Sequence, residues 1–532
     1  MYYINGNLVR KKLQIKWGII TPKHTLYIAH LLAERLGVQN WEFEILTFPP
    51  KEFSHDIYLV LCPQIFDRLP PGEKRISFQL EQSVNSRWFT DSYLNILNNS
   101  LAVLDYSLYN ISYLQTKGIC YPHIHYLPIG ASDSYGSQVF AFDKKFDVLF
   151  YGDDKSSPRR MRMLEEAKKY FKVLVVNEIF GDDLIQILKQ ARVILNIHYY
   201  DDALLEMPRI QECLSLGLNV VSESSQDQDE YPELRDSVTF FEKNSIEGMI
   251  KAIQKALTTN QDTTMHSVEL SKIRFSFMFD RFLVGMGFVP AVNVKNMKPP
   301  LPAIADTFGL SLPETIHRRR FFEQEKPNDC IIFDGIRRRP GWVGCGLSYS
   351  VLAKHAIDNN LRSLTVMEDD VILPFDYPRL LKDVKQYLNQ KEGFWDIFAG
   401  VIAVLHPDTK IHSVDYFEGR TFVTIDKMTS MVFNIYSQNA LRLLNSWNPE
   451  NEDAETNTID RFLESRQNLR VVTTLPYSVG HREEVESTLW GFNNSRYCSL
   501  IAESEASLRH KVEDFLQQTE NKEKNKCLST TY

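Results

Sequence analysis

No stretch of about 18 apolar residues occurs anywhere in the 532-residue chain, so no membrane-spanning helix is expected. No Cys-x-x-Cys pair occurs either. The seven cysteines are scattered at 62, 120, 213, 330, 345, 498 and 527, an odd number that matches neither a disulfide framework nor a zinc ribbon. A reducing setting, the cytoplasm, is expected. No sufficiently long apolar run precedes Lys11 and Lys12, which argues against a secretory leader. There is no excess of positive charge. Lys+Arg is 60 against Asp+Glu 68, a net of −8, which argues against a chain whose main work is coating nucleic acid. It leaves peripheral association with a membrane open. No internal repeat with a period of about 20–50 residues is present.

What is there is an ordinary globular composition, 43% apolar and 24% charged. At roughly 100–200 residues per domain, the length predicts three or four units. The aromatic share is 12%, which suits either clefts that stack sugars or plain core.

Short apolar runs alternate with helical patterns over the first half. "IKWGII" (15–20), "WEFEILTF" (41–48) and "DIYLVLC" (56–62) read as strands, and "TLYIAHLLAERLG" (25–37) as an amphipathic helix. A second set begins near Lys145. Strands "FDVLFYG" (146–152), "KVLVVN" (172–177), "RVILNIHYY" (192–200) and "LNVVSE" (218–223) alternate with helices at 157–171, 181–191, 207–217 and 245–259. Such alternation predicts parallel sheets covered by helices. Residues 289–304 carry four prolines and little charge and read as a linker. A third mixed unit follows to about 500, and the polar end 518–532 reads as unstructured.

The sharpest local feature is "SLTVMEDDVILP" (363–374), in which Glu368, Asp369 and Asp370 interrupt a strand-like apolar run. Three adjacent carboxylates repel one another and lower stability unless a cation or several donors offset them. Hard divalent cations take oxygen from one or two carboxylates while substrate phosphates fill other positions. The turn is therefore either a Mn²⁺ or Mg²⁺ site for a nucleotide diphosphate, or a solvated strand end.

Its surroundings resemble glycosyltransferase family 25. Gly344, Cys345, Leu347 and Ser348, then Ala353 and Ala356, precede "VMEDDV". "LSLPETIHRRRFFEQE" (310–325), "FDGI" (333–336), "FWDIFAG" (394–400) and "TIDRFL" (458–463) are similar to family motifs in the same order. The chain departs at Tyr349, where the family usually has His. The resemblance implies a GT-A fold and metal-dependent, inverting transfer of a sugar, galactose first, from a UDP-type donor. It implies Asp370 and Glu368 at the metal, Glu368 directly or through the ribose or a metal-bound water, Asp369 beside them on the donor, and Asp460 as general base. His481, in "PYSVGHREEVEST", is a candidate third ligand or a structural hydrogen-bonder. Arg318 and Arg319 are candidates for the donor phosphates and Asp334 for base or ribose; the alternative for "HRRR" is a solvated basic face. Asp460 could equally be a helix N-terminal acid.

In the first half, "DVLFYG…SSPRRMRML", "ILNIHYY" and "LLEMPRIQECLSLGLNVVSE" look like the donor half of a GT-B transferase of the group-1 type. That resemblance points to Gly152, Arg159, Arg160, Glu206, Arg209 and Glu212 as donor-binding. Glu206 and Glu212 stand closer together than the family's acid pair. Independently, ligands bind beyond the carboxyl ends of parallel strands, and helix N-termini favour phosphate, as at Ser156–Arg159. The bland alternative makes Arg159 and Arg160 surface charges. Glu81 and Gln82, in "FQLEQS", would lie on the acceptor side.

The expected architecture is α/β throughout: a GT-B-like pair of Rossmann-type domains (1–140 and 141–290), a linker (291–302), a GT-A-like mixed α/β domain (303–510) and a polar tail (511–532). The expected function is sugar transfer to a glycan, glycolipid or glycoprotein acceptor by two activities in one chain. The alternative is a single activity in the C-terminal part, with the GT-B-like part a carbohydrate or acceptor binder.

Overall fold

The computed structural model describes residues 3–4, 7–8, 14–136, 143–258 and 264–529. The chain forms two compact units, Met1–Phe282 and Leu283–Tyr532.

The first unit opens with a short antiparallel pair, β1 (Tyr3–Ile4) and β2 (Asn7–Leu8). Two wholly parallel sheets follow. The first comprises β3 (Lys16–Ile20), β4 (Glu42–Leu46), β5 (Ile57–Leu61), β6 (Arg75–Gln79), β7 (Ala102–Asp105) and β8 (Ile124–Tyr126), in the order β4-β3-β5-β6-β7-β8. The second comprises β9 (Phe146–Tyr151), β10 (Val173–Val176), β11 (Ala191–Asn196), β12 (Asn219–Glu223) and β13 (Val238–Phe241), in the order β10-β9-β11-β12-β13. Trp17 pairs with Ile57 in the first, and Ile194 with Leu149 in the second. Central strands of a parallel sheet are covered on both faces, which is why their apolar runs are unbroken. In each sheet the chain steps first to one side of the starting strand and then to the other. That leaves a crevice at the carboxyl ends, beyond β9 and β11 in the second sheet. The helix Pro158–Lys168 starts as its sequence demands, with proline in the first turn and the Ser157 side chain accepting from the Arg160 amide.

The second unit holds an eight-stranded mixed sheet. Its strands are β14 (Thr307–Ser311), β15 (Ile331–Asp334), β16 (Ser363–Glu368), β18 (Ile397–Ala399), β19 (Ile411–Phe417), β20 (Arg420–Ile425), β21 (Phe433–Ser437) and β22 (Val471–Leu475). The order is β15-β14-β16-β21-β18-β22-β20-β19, with β17 (Val371–Ile372) and β23 (Gly480–His481) paired apart. Met367, Phe398, Phe433, Tyr387 and Val384 share one core. The helix Gly341–Asp358 is almost wholly buried. Gly346 lets it approach Trp447, whose ring atoms would stand 2.6 Å from a side-chain carbon there.

Two expectations change. The proline-rich stretch is not a loose linker: Ala291–Asn296 forms a 3₁₀ turn with Ala291 and Val294 buried, and Lys295 Nζ donates to the Asn445 carbonyl. Its apolar residues found a surface to cover. The polar end is not unstructured as far as residue 529, beyond which it lies outside the described residues: the helix Arg496–Ser529 covers it, with Ser504, Leu508 and Val512 buried along one stripe ahead of it. Glu, Lys and Gln are good helix formers and continue a helix that the buried stripe has begun.

Candidate functional site

In the second unit, β16 carries the acidic turn to the carboxyl end of the sheet. Asp369 and Asp370 are 5% and 6% exposed, so the acids fold inward. Pairing of β17 with β23 sets Val371 opposite His481, and Arg482 N donates to the Asp370 carbonyl at 2.7 Å. Two residues distant in sequence and both expected as metal ligands are thereby brought together: His481 Nε2 lies 3.5 Å from Asp370 Oδ2.

Arg318 offsets most of the repulsion. Its Nε donates to Asp369 Oδ1 at 2.9 Å, and its Nη2 donates to that oxygen and, at 2.9 Å, to Asp370 Oδ2. Ser311, at the end of β14, donates to Asp369 Oδ2 at 2.7 Å. The three acids respond differently. Burial, then the charge of Asp370, pushes Glu368 well above the usual carboxylate range. Burial raises Asp369 despite Arg318. Asp370 is buried too, but Arg318, His481 and Asn494 together hold it well below its ordinary value. Asp370 Oδ1 and His481 Nδ1 are buried without a hydrogen-bond partner among the described residues. An orphaned oxygen on an ionised carboxylate fits a cation.

Glu368, the other acid expected at the metal, instead faces Tyr349, whose hydroxyl lies 3.3 Å from Glu368 Oε1 and 2.9 Å from the Met431 carbonyl. Cys345 Sγ lies 3.8 Å from the same Oε1. Asp460, half-buried at the start of the helix Ile459–Glu464, accepts from the Arg461 amide. Its charge, after burial and that of Glu368, helps to raise both Cys345 and Tyr497. Arg318 is turned onto the acids, and not left free as expected for donor phosphates. Arg319 and Asp334 pair with each other at 2.7 Å.

The first unit gathers its expected residues beyond β9, β11 and β12. Glu206 bridges two arginines, with Arg160 Nη2 2.8 Å from Oε1 and Arg209 Nη1 2.8 Å from Oε2. Arg160 also donates to the carbonyls of Ile197 and Asp153, and Arg209 to Asn196 Oδ1. Arg159 pairs with the buried Glu223 and donates to the His198 carbonyl. Asp153 accepts from the Ser156 amide and Ser157 Oγ from the Arg160 amide, so two of the amides expected to meet phosphate are held by neighbouring side chains. Glu212 lies apart from these pairs: it accepts from the Tyr151 hydroxyl at 3.1 Å, and burial lifts it to about 7. Gly152, at φ +127°, would bring a side-chain carbon 2.8 Å from Arg209 Nη2. Beside this network lies a cleft of about 220 Å³ lined by Arg159, His198, Tyr200, Ser224, Ser225 and Lys243.

Sequence reasoning missed Asn494, Ser311, His198, Asn196 and Glu223. Ser311 and Glu223 end strands at the carboxyl edge, a position that the alternation could have flagged. Asn494 sits in a loop with no periodic signal.

No family model matches the chain, and no curated protein matches it. Solved structures resemble it distantly. Sucrose-phosphate synthase from Thermosynechococcus elongatus is 11% identical over 51% of this chain and 98% of its own, with a TM-score of 0.34. Anabaena HepE, solved with UDP and glucose, is 10% identical over 51% and 98%, at 0.35. WaaG, a glycosyltransferase involved in lipopolysaccharide biosynthesis, is 11% identical over 50% and 98%, at 0.36. Likenesses this distant assign no activity, so a function for this chain has to rest on its own residues.

Proposed function

We propose that the chain is a glycosyltransferase whose second unit, in a GT-A-like arrangement, transfers a sugar from a UDP-type donor, galactose being the first candidate, with inversion. One observation carries this reading: Asp370 and His481, each expected from sequence to ligate a divalent cation, meet inside a buried acidic turn. Asp370 and His481 would hold Mn²⁺ or Mg²⁺, which supplies positive charge to the leaving diphosphate. Arg318 and Ser311 keep the Asp369 carboxylate in place. Glu368, half-buried and favouring its protonated form, would offer its carboxyl O–H to a ribose or phosphate oxygen. Asp460 takes the proton of the acceptor hydroxyl as the acceptor oxygen bonds the sugar's anomeric carbon and the bond from that carbon to the diphosphate breaks.

The first unit is the GT-B-like module, and a second nucleotide-sugar site there would make the chain bifunctional. The pairing of Arg159, Arg160 and Arg209 with Glu223, Glu206 and backbone carbonyls favours the other reading, a carbohydrate or acceptor binder. The partners are then a nucleotide sugar and a glycan, glycolipid or glycoprotein, and the setting the cytoplasm or a membrane surface. No helix of the described residues is long and apolar enough to cross a membrane.

A donor screen on the full chain, read as released nucleotide with and without EDTA, tests the proposal. Turnover of a UDP-sugar that EDTA abolishes and Asp370→Asn lacks supports it. Turnover indifferent to both removes it. Loss of all turnover in Asp370→Asn leaves the first unit a binder; residual EDTA-resistant turnover assigns that unit an activity.

A further inference from the structure

The cation reading supplies two protein ligands, and among the described residues no three His, Cys, Asp or Glu side chains form a metal-holding group. An amide side chain completes the set. Asn494, 1% exposed, places Nδ2 2.9 Å from Asp370 Oδ2 and 3.3 Å from His481 Nε2, and those two atoms are 3.5 Å apart. Adjacent donors on an octahedral ion with bonds of about 2.1 Å stand about 3 Å apart. The triangle therefore has the size of one face of such an octahedron.

Backbone contacts fix all three corners. Val371 pairs with His481, Arg482 N donates to the Asp370 carbonyl, and Asn494 N donates to the Val485 carbonyl at 2.9 Å. Half a turn about the last torsion of Asn494 exchanges Nδ2 for Oδ1 with almost no change in shape. Beside the Asp370 carboxylate, which Arg318 also meets, the N–H end faces inward; near a cation the oxygen does.

We infer that Asn494 is a third ligand, with Asp370 and His481, of one divalent cation in the second unit, an inference that rests on the cation reading of the acidic turn. Metal-free, its amide N–H groups meet Asp370 Oδ2 at 2.9 Å and the Arg482 carbonyl at 3.2 Å, with His481 Nε2 beside them. Loaded, its oxygen faces the ion. The set mixes imidazole with carboxylate and amide oxygen, which suits Mn²⁺ better than Mg²⁺.

The test is titration of Mn²⁺ into the metal-free full chain, following free Mn²⁺ by electron paramagnetic resonance. Asn494→Ala is expected to weaken binding about tenfold or more. Asn494→Asp, which keeps an oxygen in place, is expected to bind as tightly as the parent or tighter. Nitrogen modulation on the bound ion should persist in Asn494→Ala and vanish in His481→Gln. Asn494→Ser, with the same expected loss, serves if the alanine variant melts early. Should both Asn494 variants bind like the parent while Asp370→Asn does not, the amide is no ligand and the inference falls alone. Should Asp370→Asn also bind like the parent, the cation reading falls with it.

Discussion

Arg318→Met would leave the acids of the turn without their internal cation. The side chain of Arg318 is 11% exposed, and those of Asp369 and Asp370 are 6% and 8%. Removing one partner of a buried ion pair costs about 3–5 kcal/mol, because the other charge stays buried and unmatched. Burial raises Asp369 even beside Arg318, so proton uptake there once the guanidinium is gone relieves part of the loss and favours the lower end of that range. For a unit of this size about 1 kcal/mol moves Tm by roughly 2–4 °C, so a fall on the order of 10 °C is expected. The same change frees an oxygen of Asp370, which Arg318 Nη2 reaches at 2.9 Å. Mn²⁺ should then stabilise the variant more than the parent; an ion at about 100 times its Kd adds about 2.7 kcal/mol. Differential scanning fluorimetry near neutral pH, with EDTA and with Mn²⁺, measures both quantities. A variant that melts with the parent, or a Mn²⁺ shift equal in the two, refutes the assignment of Arg318 as the cation's stand-in.

Three further outcomes are expected. Asp460→Asn should lower kcat by about 10²–10⁴ with little change in KM, measured by nucleotide release; an unchanged kcat removes Asp460 as the base. Glu212→Gln should change the pH dependence of stability in the first unit. Glu212 is lifted from 4.5 to about 7, so its share of stability is complete below about pH 4.5 and is lost as pH rises through 7. That loss, about 3 kcal/mol in the parent, should vanish in the variant's urea midpoints, and equal pH slopes would refute it. Gly152→Ala should cost about 1–3 kcal/mol, since φ is +127° and the new carbon meets Arg209; an unchanged urea midpoint would contradict the constraint.

Much of this arrangement was legible in the sequence because its causes are local. Apolar runs such as Val148–Phe150 and Leu364–Met367, the latter broken only by Thr365, are what a covered strand needs, and both are central strands. Ser157 before Pro158 announces a helix start, and one begins there. Three adjacent acids demand compensation wherever they lie, so the turn at 368–370 stood out before any contact was known. What compensates them was not legible. Arg318 reads as one of three arginines on a basic helix, and only the parallel pairing of β14 with β16 carries the following helix to the turn. Asn494 reaches Asp370 through the β17–β23 pairing, a contact between segments more than a hundred residues apart. The same limit hid the partners of Arg159 and Arg160, which look free in sequence because Glu223 and Glu206 arrive from later strands and loops. The proline-rich and polar segments were misjudged for the converse reason: composition describes a segment alone, while burial of Val294 and Val512 depends on what it meets.

The central claim is that Asp370 and His481 hold the cation that carries the donor's diphosphate. Crystals of the full chain grown with Mn²⁺ and UDP, measured near the manganese absorption edge, locate that ion directly. The account requires an anomalous peak within about 2.3 Å of both Asp370 and His481, with a diphosphate oxygen on its open side. Manganese bound elsewhere, or UDP seated with Arg318 and no ion at the turn, would contradict it.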